Sequence, residues 1–395
     1  MSLVHLAVAL TAASLALYST MMILFARAMW SRRRRPKRAV DRAPRVTIFK
    51  PLAGRDDDLE DNLESFARID YPSFEILLGV ASAADPAYLV ARRFVARHPR
   101  LGARIVLTEP DAAVNPKVAQ LVGLERAATG EIYVISDSNV RVVPGYLWTL
   151  VAELADETVG MVTSLFAGTG ERTLGAALEN LQLCCHAAPG LVATDAVSSR
   201  PLTVGKSMAV RRRDLARLGG FNPVGDVLAE DYALGRRFLD AGFTARTSMD
   251  AVENRNVGCS VGRTLERHTR WSKMRRALSP LAFAFEPLMT PVVTASVGLA
   301  LAPGEATAAI LAATCVYQTS AALVAVRVLR GSWLPWRYLP LEIARSYVGL
   351  FCWVRACVSK RIDWRGHAFV MARGTRIVPV ANDADRSSAR ARLAA

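Results

Sequence analysis

The chain has 395 residues, enough for one large domain with additions. It is 52% hydrophobic yet carries a net charge of +15, which excludes an ordinary soluble enzyme and points to an integral membrane protein facing anionic lipid. The basic residues flank apolar segments instead of forming an aromatic-studded patch, so no nucleic-acid partner is expected.

At the amino terminus, residues 3–30 are almost uninterrupted apolar sequence, broken by His5 and Arg27 alone. That length crosses a hydrocarbon core of about 30 Å. The charge comes after the apolar run, as SRRRRPKR over 31–38, whereas a cleaved leader carries its charge in front. The positive-inside rule then puts the amino terminus outside and the chain beyond Arg32 in the cytosol. Residues 1–30 are therefore read as a transmembrane anchor and 31–45 as a basic linker. A cytosolic domain is expected over 46–280, a membrane region over 281–380 and a disordered tail over 381–395.

Strand-like runs at 46–49, 75–80, 104–107, 131–136 and 159–165 alternate with helix-like ones, which predicts a parallel sheet with helices on both faces. The first four runs exit onto Lys50 with Pro51, Asp85, Asn115 with Lys117, and Asp137. Four polar exits at one sheet edge read as a single site, since open α/β sheets bind ligands there. A carboxylate such as Asp137 can hold a divalent metal, and the metal a diphosphate. The acid run Asp56, Asp57, Asp58 reads as the solvated start of a surface helix.

Further on, 174–185 reads as a helix, and His186 beside it as a packed histidine, because no partner stands at metal-ligand spacing. A strand is expected over 203–210 and a helix over 211–218, closed by Gly219 and Gly220. The loop GGFNPVGD then leads to Glu230 and Asp231 at the start of a helix that reaches 239, and can present both acids into a cleft. In RHTRW, helical spacing puts Arg267, Arg270 and Trp271 on one face, where arginine suits phosphate and tryptophan offers a flat wall for a sugar or a lipid interface; a juxtamembrane basic belt is the alternative. Apolar stretches come next at 281–301, 306–326 and 338–358. The last carries Glu342, Arg345 and Arg355, which favours an interfacial or re-entrant placement. Six cysteines without a CxxC pair or zinc spacing are expected to be free thiols in a reducing compartment.

Taken together, KPLAGRDDDLEDNLESF (50–66), DYPSFEILLGV (70–80), DPA (85–87), NPK (115–117), DSNVRV (137–142), VGKSM (204–208), LAEDYALGRR (228–237) and RHTRW (267–271) resemble the ceramide glucosyltransferase family. The similarity covers about 46–276, and the order and spacing of the motifs make it specific. It implies a GT-A (Rossmann-like) α/β glycosyltransferase domain between an amino-terminal transmembrane helix and carboxyl-terminal membrane helices. It also implies inverting transfer of a sugar, glucose in that family, from a UDP-sugar to a membrane-lipid hydroxyl at the cytosolic face of a multi-pass protein, here expected in a bacterial inner or plasma membrane. The family's roles fall on Asp85 and Asp137 for the nucleotide-sugar and its metal, on Asp231 as catalytic base, and on Arg267, Arg270 and Trp271 as its (Q/R)xxRW signature. With Lys50 and Lys117 from the strand exits, these make up the expected donor site. Where many GT-A enzymes have a DxD triplet this chain has Asp137, Ser138 and Asn139, so Mg²⁺ or Mn²⁺ is expected at Asp137 with one carboxylate. The alternatives are an N-acetylglucosaminyl transfer to a hopanoid, as the similar hopanoid-associated glycosyltransferases imply, a processive polysaccharide synthase, and a non-catalytic membrane scaffold.

Overall fold

The computed structural model of the chain describes residues 3–32, 42–55, 57–364 and 367–380; most of the basic run after Arg32 and the tail from 381 lie outside them. The apolar amino terminus is one helix, α1 (Leu3–Arg32). Strands and helices then alternate as β1 (Val46–Leu52), α2 (Leu59–Ala67), β2 (Phe74–Val80), α3 (Pro86–Arg97), β3 (Ala103–Leu107), α4 (Pro116–Ala127) and β4 (Ile132–Ser136). Two of these helices start by local chemistry. Asp85 accepts from the Ala87 N–H, Asn115 accepts from the N–H groups of Lys117 and Val118, and Pro86 and Pro116 fill the first turn.

Next come β5 (Val140–Arg141), α5 (Tyr146–Leu154), β6 (Val159–Thr169), α6 (Leu174–Gln182), a π-helical turn (Leu183–Ala187) and α7 (Ala188–Val197). β7 (Ser207–Arg211), α8 (Arg212–Arg217), α9 (Glu230–Asp240), β8 (Thr244–Arg255) and α10 (Val261–Leu278) complete the central unit. Its sheet has the order β3-β2-β1-β4-β7-β6-β8-β5. The first four positions are parallel, as the alternation predicts. Strand β6 is not the next parallel neighbour, because β7 enters antiparallel between β4 and β6. Side chains alternate across the sheet: Ile132 and Val134 join one core, Tyr133 and Ile135 the other.

Asp57 and Asp58 at the start of α2 are half-buried and bonded to distant groups instead of standing free in solvent. Asp57 accepts from the N–H groups of Val257 and Gly258, at 2.9 and 2.8 Å, and Asp58 pairs with Arg255 at 2.9 Å. Their partners lie about two hundred residues away, which no local pattern discloses. Asp56 lies outside the described residues.

Beyond α10 run α11 (Pro280–Phe285), α12 (Pro291–Leu301), α13 (Glu305–Arg330) and α14 (Leu341–Val358). Among the described residues α1 and α13 are each long and apolar enough to cross a bilayer, and the α11–α12 pair passes the same test as one segment bent by 74°. The Ser19 hydroxyl meets the Tyr317 hydroxyl at 2.6 Å, and Trp30 faces the same groove as Val328, so α1 and α13 run parallel with their basic ends together. Helix α14 lies against α10. Its Glu342 and Arg345 are buried and paired at 2.6 Å; Gln318 donates to Glu342 and Arg345 donates to Gln182. Residues 361–379, expected within the membrane region, form an antiparallel sheet of β9 (Arg361–Trp364), β10 (His367–Met371) and β11 (Ile377–Pro379), which packs on Leu228 of the central unit. All six cysteines are free.

Truncating Arg345 strands a buried carboxylate, an effect of about 3–5 kcal/mol. Arg345→Ala is expected to lower the unfolding temperature in detergent markedly, and Arg355→Ala, at an unburied position on the same helix, to leave it nearly unchanged.

Candidate active site

The exit of β4 is built around Asp137. Lys50 at the exit of β1 is fully buried; its ammonium donates to the Asp137 carbonyl at 2.5 Å and lies 4.2 Å from the Phe66 ring centre. It therefore holds the backbone that carries the acid. The Asp137 carboxylate itself faces two lysines, Lys117 at 2.8 Å and Lys206 at 3.5 Å. Burial pushes its pKa up, but Lys117, Lys206 and Lys50 outweigh burial and hold the carboxyl below the usual aspartate range.

Lys117 is the hub. Its ammonium is 2.8 Å from Asp137 and 2.8 Å from Glu230 at the start of α9. Burial alone would favour the neutral amine, yet Asp137, Glu230 and Asp231 keep it firmly protonated. Asp231 lies beside this pair and is held by backbone groups: its carboxylate accepts from the Gly205 N–H at 2.6 Å and from the Tyr232 N–H at 2.8 Å. Burial first, then the adjacent Glu230 charge, push its pKa up to about 6, against the pull of Lys117. A carboxylate poised there can accept a proton near neutral pH. A Cβ on Gly205 would stand 2.9 Å from Asp231 Oδ2 and 3.1 Å from Lys117 Nζ, so any larger residue there would displace the two charged groups.

The other expected residues take different places. Asp85 accepts from the Gly54 N–H at 2.9 Å as well as from Ala87, so it shapes the loop after β1. Trp271 joins the cleft with its ring centre 5.9 Å from the Lys206 ammonium. Arg270 stacks at 5.7 Å on Trp364 of the small sheet. Arg267 donates to Glu179 and Asn256, both at 3.0 Å, which ties α10 to α6. Glu179 is wholly buried; burial raises its pKa, but His268 and Arg267 bring it well below the usual range. His186, on the π-helical turn, is kept neutral, its pKa lowered to about 3 by burial and by Arg345, Arg275 and His268. Sequence reasoning missed Lys206, Gly205 and the pairing of Glu230; the motif VGKSM holds the first two, but nothing local assigns them partners.

As a metal site, the cleft offers the Asp137 carboxylate together with the neutral Ser138 and Asn139. Among the described residues no three His, Cys, Asp or Glu side chains converge. One carboxylate fits a Mg²⁺-type ion that takes its remaining ligands from substrate phosphates and water.

Lys117→Met leaves Asp137 and Glu230 without their shared cation, a loss of about 3–5 kcal/mol for a broken buried pair. The expected outcome is a lower unfolding temperature together with loss of nucleotide-sugar binding, read by thermal shift and calorimetry; Lys206→Met is expected to weaken binding with a smaller thermal effect.

The fold is the GT-A type that the motifs imply, with the acidic cleft at the ends of its parallel strands. A family model described as "Glycosyl transferase family 21" matches residues 6–377. The chain is 28% identical over 348 residues to "Ceramide glucosyltransferase 1" of Caenorhabditis elegans, covering 85% of this chain and 73% of that protein. It is 25% identical over 349 residues to "Ceramide glucosyltransferase 3" of the same species, covering 85% and 74%. Among solved structures it is similar to a mannosyltransferase from Pyrobaculum calidifontis in complex with GDP-Man and Mn²⁺, with a TM-score of 0.49, 22% identity and coverage of 88% of this chain and 98% of that one. The chain belongs to glycosyl transferase family 21.

Proposed function

We propose that the protein transfers glucose from UDP-glucose to a hydroxyl of ceramide at the cytosolic membrane face, with inversion at the anomeric carbon. The observation that carries this reading is Asp231, a buried carboxylate with a pKa of about 6, fixed by the Gly205 N–H next to a cleft lined by Lys117 and Lys206. The names of the two nematode relatives support the sugar and the acceptor.

In the proposed step the Asp231 carboxylate accepts the proton of the acceptor hydroxyl as that oxygen bonds to the anomeric carbon. The bond from that carbon to the β-phosphate oxygen breaks, and UDP leaves with the electron pair. Lys117 and Lys206 supply positive charge beside the departing diphosphate. Trp271 forms a wall of the sugar pocket, Asp85 keeps the Gly54 loop over the nucleotide, and Lys50 fixes the Asp137 backbone. Arg267 and Arg270 set the pose of α10. A Mg²⁺ or Mn²⁺ ion would be held by Asp137 and would neutralise diphosphate charge. The catalytic unit is taken as 46–280, anchored by α1 and α13, whose shared basic end faces the cytosol.

The test is a panel of UDP-sugars offered with ceramide, diacylglycerol or a hopanoid polyol to membranes containing the protein, with products identified by mass spectrometry. Glucosylceramide is expected, and a product on the hopanoid alone would replace the acceptor while keeping the chemistry. Asp231→Asn is expected to lower turnover at least about 100-fold with UDP-glucose binding retained; full activity would remove Asp231 from the role of base. Because the base must be ionised, turnover is expected to fall as pH drops through about 6 and to level off above it. Chelation of divalent cations is expected to lower turnover, Mn²⁺ to restore it, and Asp137→Asn to abolish that restoration.

A further inference from the structure

Residues 226–229, the strip that leads into Glu230 and Asp231, are held from two sides. On one side Asn115 donates its backbone N–H to the Gly225 carbonyl at 2.8 Å and its side-chain amide to the Val227 carbonyl at 2.7 Å. On the other side stands the carboxyl-terminal sheet. The Leu228 N–H donates to the Thr375 carbonyl at 2.9 Å, the Ile377 N–H donates to the Asp226 carbonyl at 2.8 Å, and Val227 forms an antiparallel bridge with Arg376. The Leu228 side chain is buried with Ile362, Phe369, Met371 and Ile377.

Thr375 has a particular place in this contact. Helix α9 starts after Ala229, whose methyl group cannot cap it; the Ala229 N–H is instead met by the Thr375 hydroxyl at 3.4 Å. Thr375 is fully buried at φ 61, directly after Gly374 at φ 69. A β-branched residue is disfavoured in that left-handed region and persists there only where its surroundings impose it. The same sheet is tied to α10: Lys273 donates to the Arg361 carbonyl at 2.5 Å, and Trp364 carries the Arg270 guanidinium on its face. One small sheet thus joins the strip that carries Asp231 to the helix that carries Arg270 and Trp271.

We propose that the sheet of β9, β10 and β11 is a clamp that sets Asp231 against α10 for the reaction, with Thr375 as its positioning residue; this rests on the reading of Asp231 as base. The sheet lies outside the strand-and-helix unit that bears the strand-exit residues, so a loosened clamp is expected to slow the chemical step while donor binding persists.

The experiment uses the full-length protein with UDP-glucose and ceramide, comparing Thr375→Val, Thr375→Ser, Ile377→Pro and Asp231→Asn. Thr375→Val and Ile377→Pro are expected to lower kcat by about tenfold or more, since a small misplacement of a reacting group has effects of that size. The KM and Kd for UDP-glucose are expected to stay within about twofold, and Thr375→Ser to restore wild-type kcat. An unchanged kcat in Thr375→Val overturns the clamp, and so does a parallel loss of UDP-glucose binding, which would make the sheet a general support. Should Ile377→Pro fail to fold, the comparison of Thr375→Val with Thr375→Ser decides alone. Full turnover in Asp231→Asn instead overturns the base reading, and an inactive Asp231→Asn beside a normal Thr375→Val overturns the clamp alone.

Discussion

Three acidic side chains, Asp137, Glu230 and Asp231, share one cleft because the ammonium of Lys117 sits among them. Without it their mutual repulsion and the cost of burying charge would open the site or neutralise two of them. With it, Asp137 and Glu230 each pair with the lysine, and Asp231, bonded to backbone N–H groups, has a pKa raised to about 6 by burial and by the adjacent Glu230 charge. The division of labour among three similar groups thus depends on which of them the cation touches.

The lysine is in place because of the turn it belongs to. Asn115 caps α4, Pro116 opens it, and Lys117 comes next in its first turn. The same Asn115 also holds the strip ahead of Asp231 through the carbonyls of Gly225 and Val227. One turn therefore registers both walls of the cleft, and a displacement of α4 would move the cation and the proposed base together.

A second chain of buried polar contacts runs from α10 to the end of α13. Arg267 bonds to Glu179 and Asn256; Asn256 bonds to Asn180, Asn180 to Glu171, and Glu171 to Arg330 at the end of α13. Buried ion pairs add little net stability but tolerate few alternative arrangements. This chain ties a helix long and apolar enough to cross a bilayer to the helix that bears the RHTRW motif. Arg267, read in the sequence as a substrate contact, here joins the two parts of the molecule.

Patterns of local origin were legible in the sequence. The length of α1, the four parallel strands and the arrival of Asp137 at a strand exit all arise from residues a few positions apart, where hydrophobic period acts directly. The antiparallel entry of β7 was not legible, because pairing of distant strands leaves no local mark. The mixed, largely polar β8 was missed because its burial alternates irregularly, so no period of two appears. Residues 361–364 and 367–379 adjoin apolar helices in the sequence, and only the fold brings their side chains against Leu228. The sequence by itself determined which groups reach the cleft edge, since a strand exit is a local event. Only the tertiary structure decided which of them pair, because Asp57 with Gly258, Lys117 with Glu230 and Thr375 with Leu228 meet through space alone.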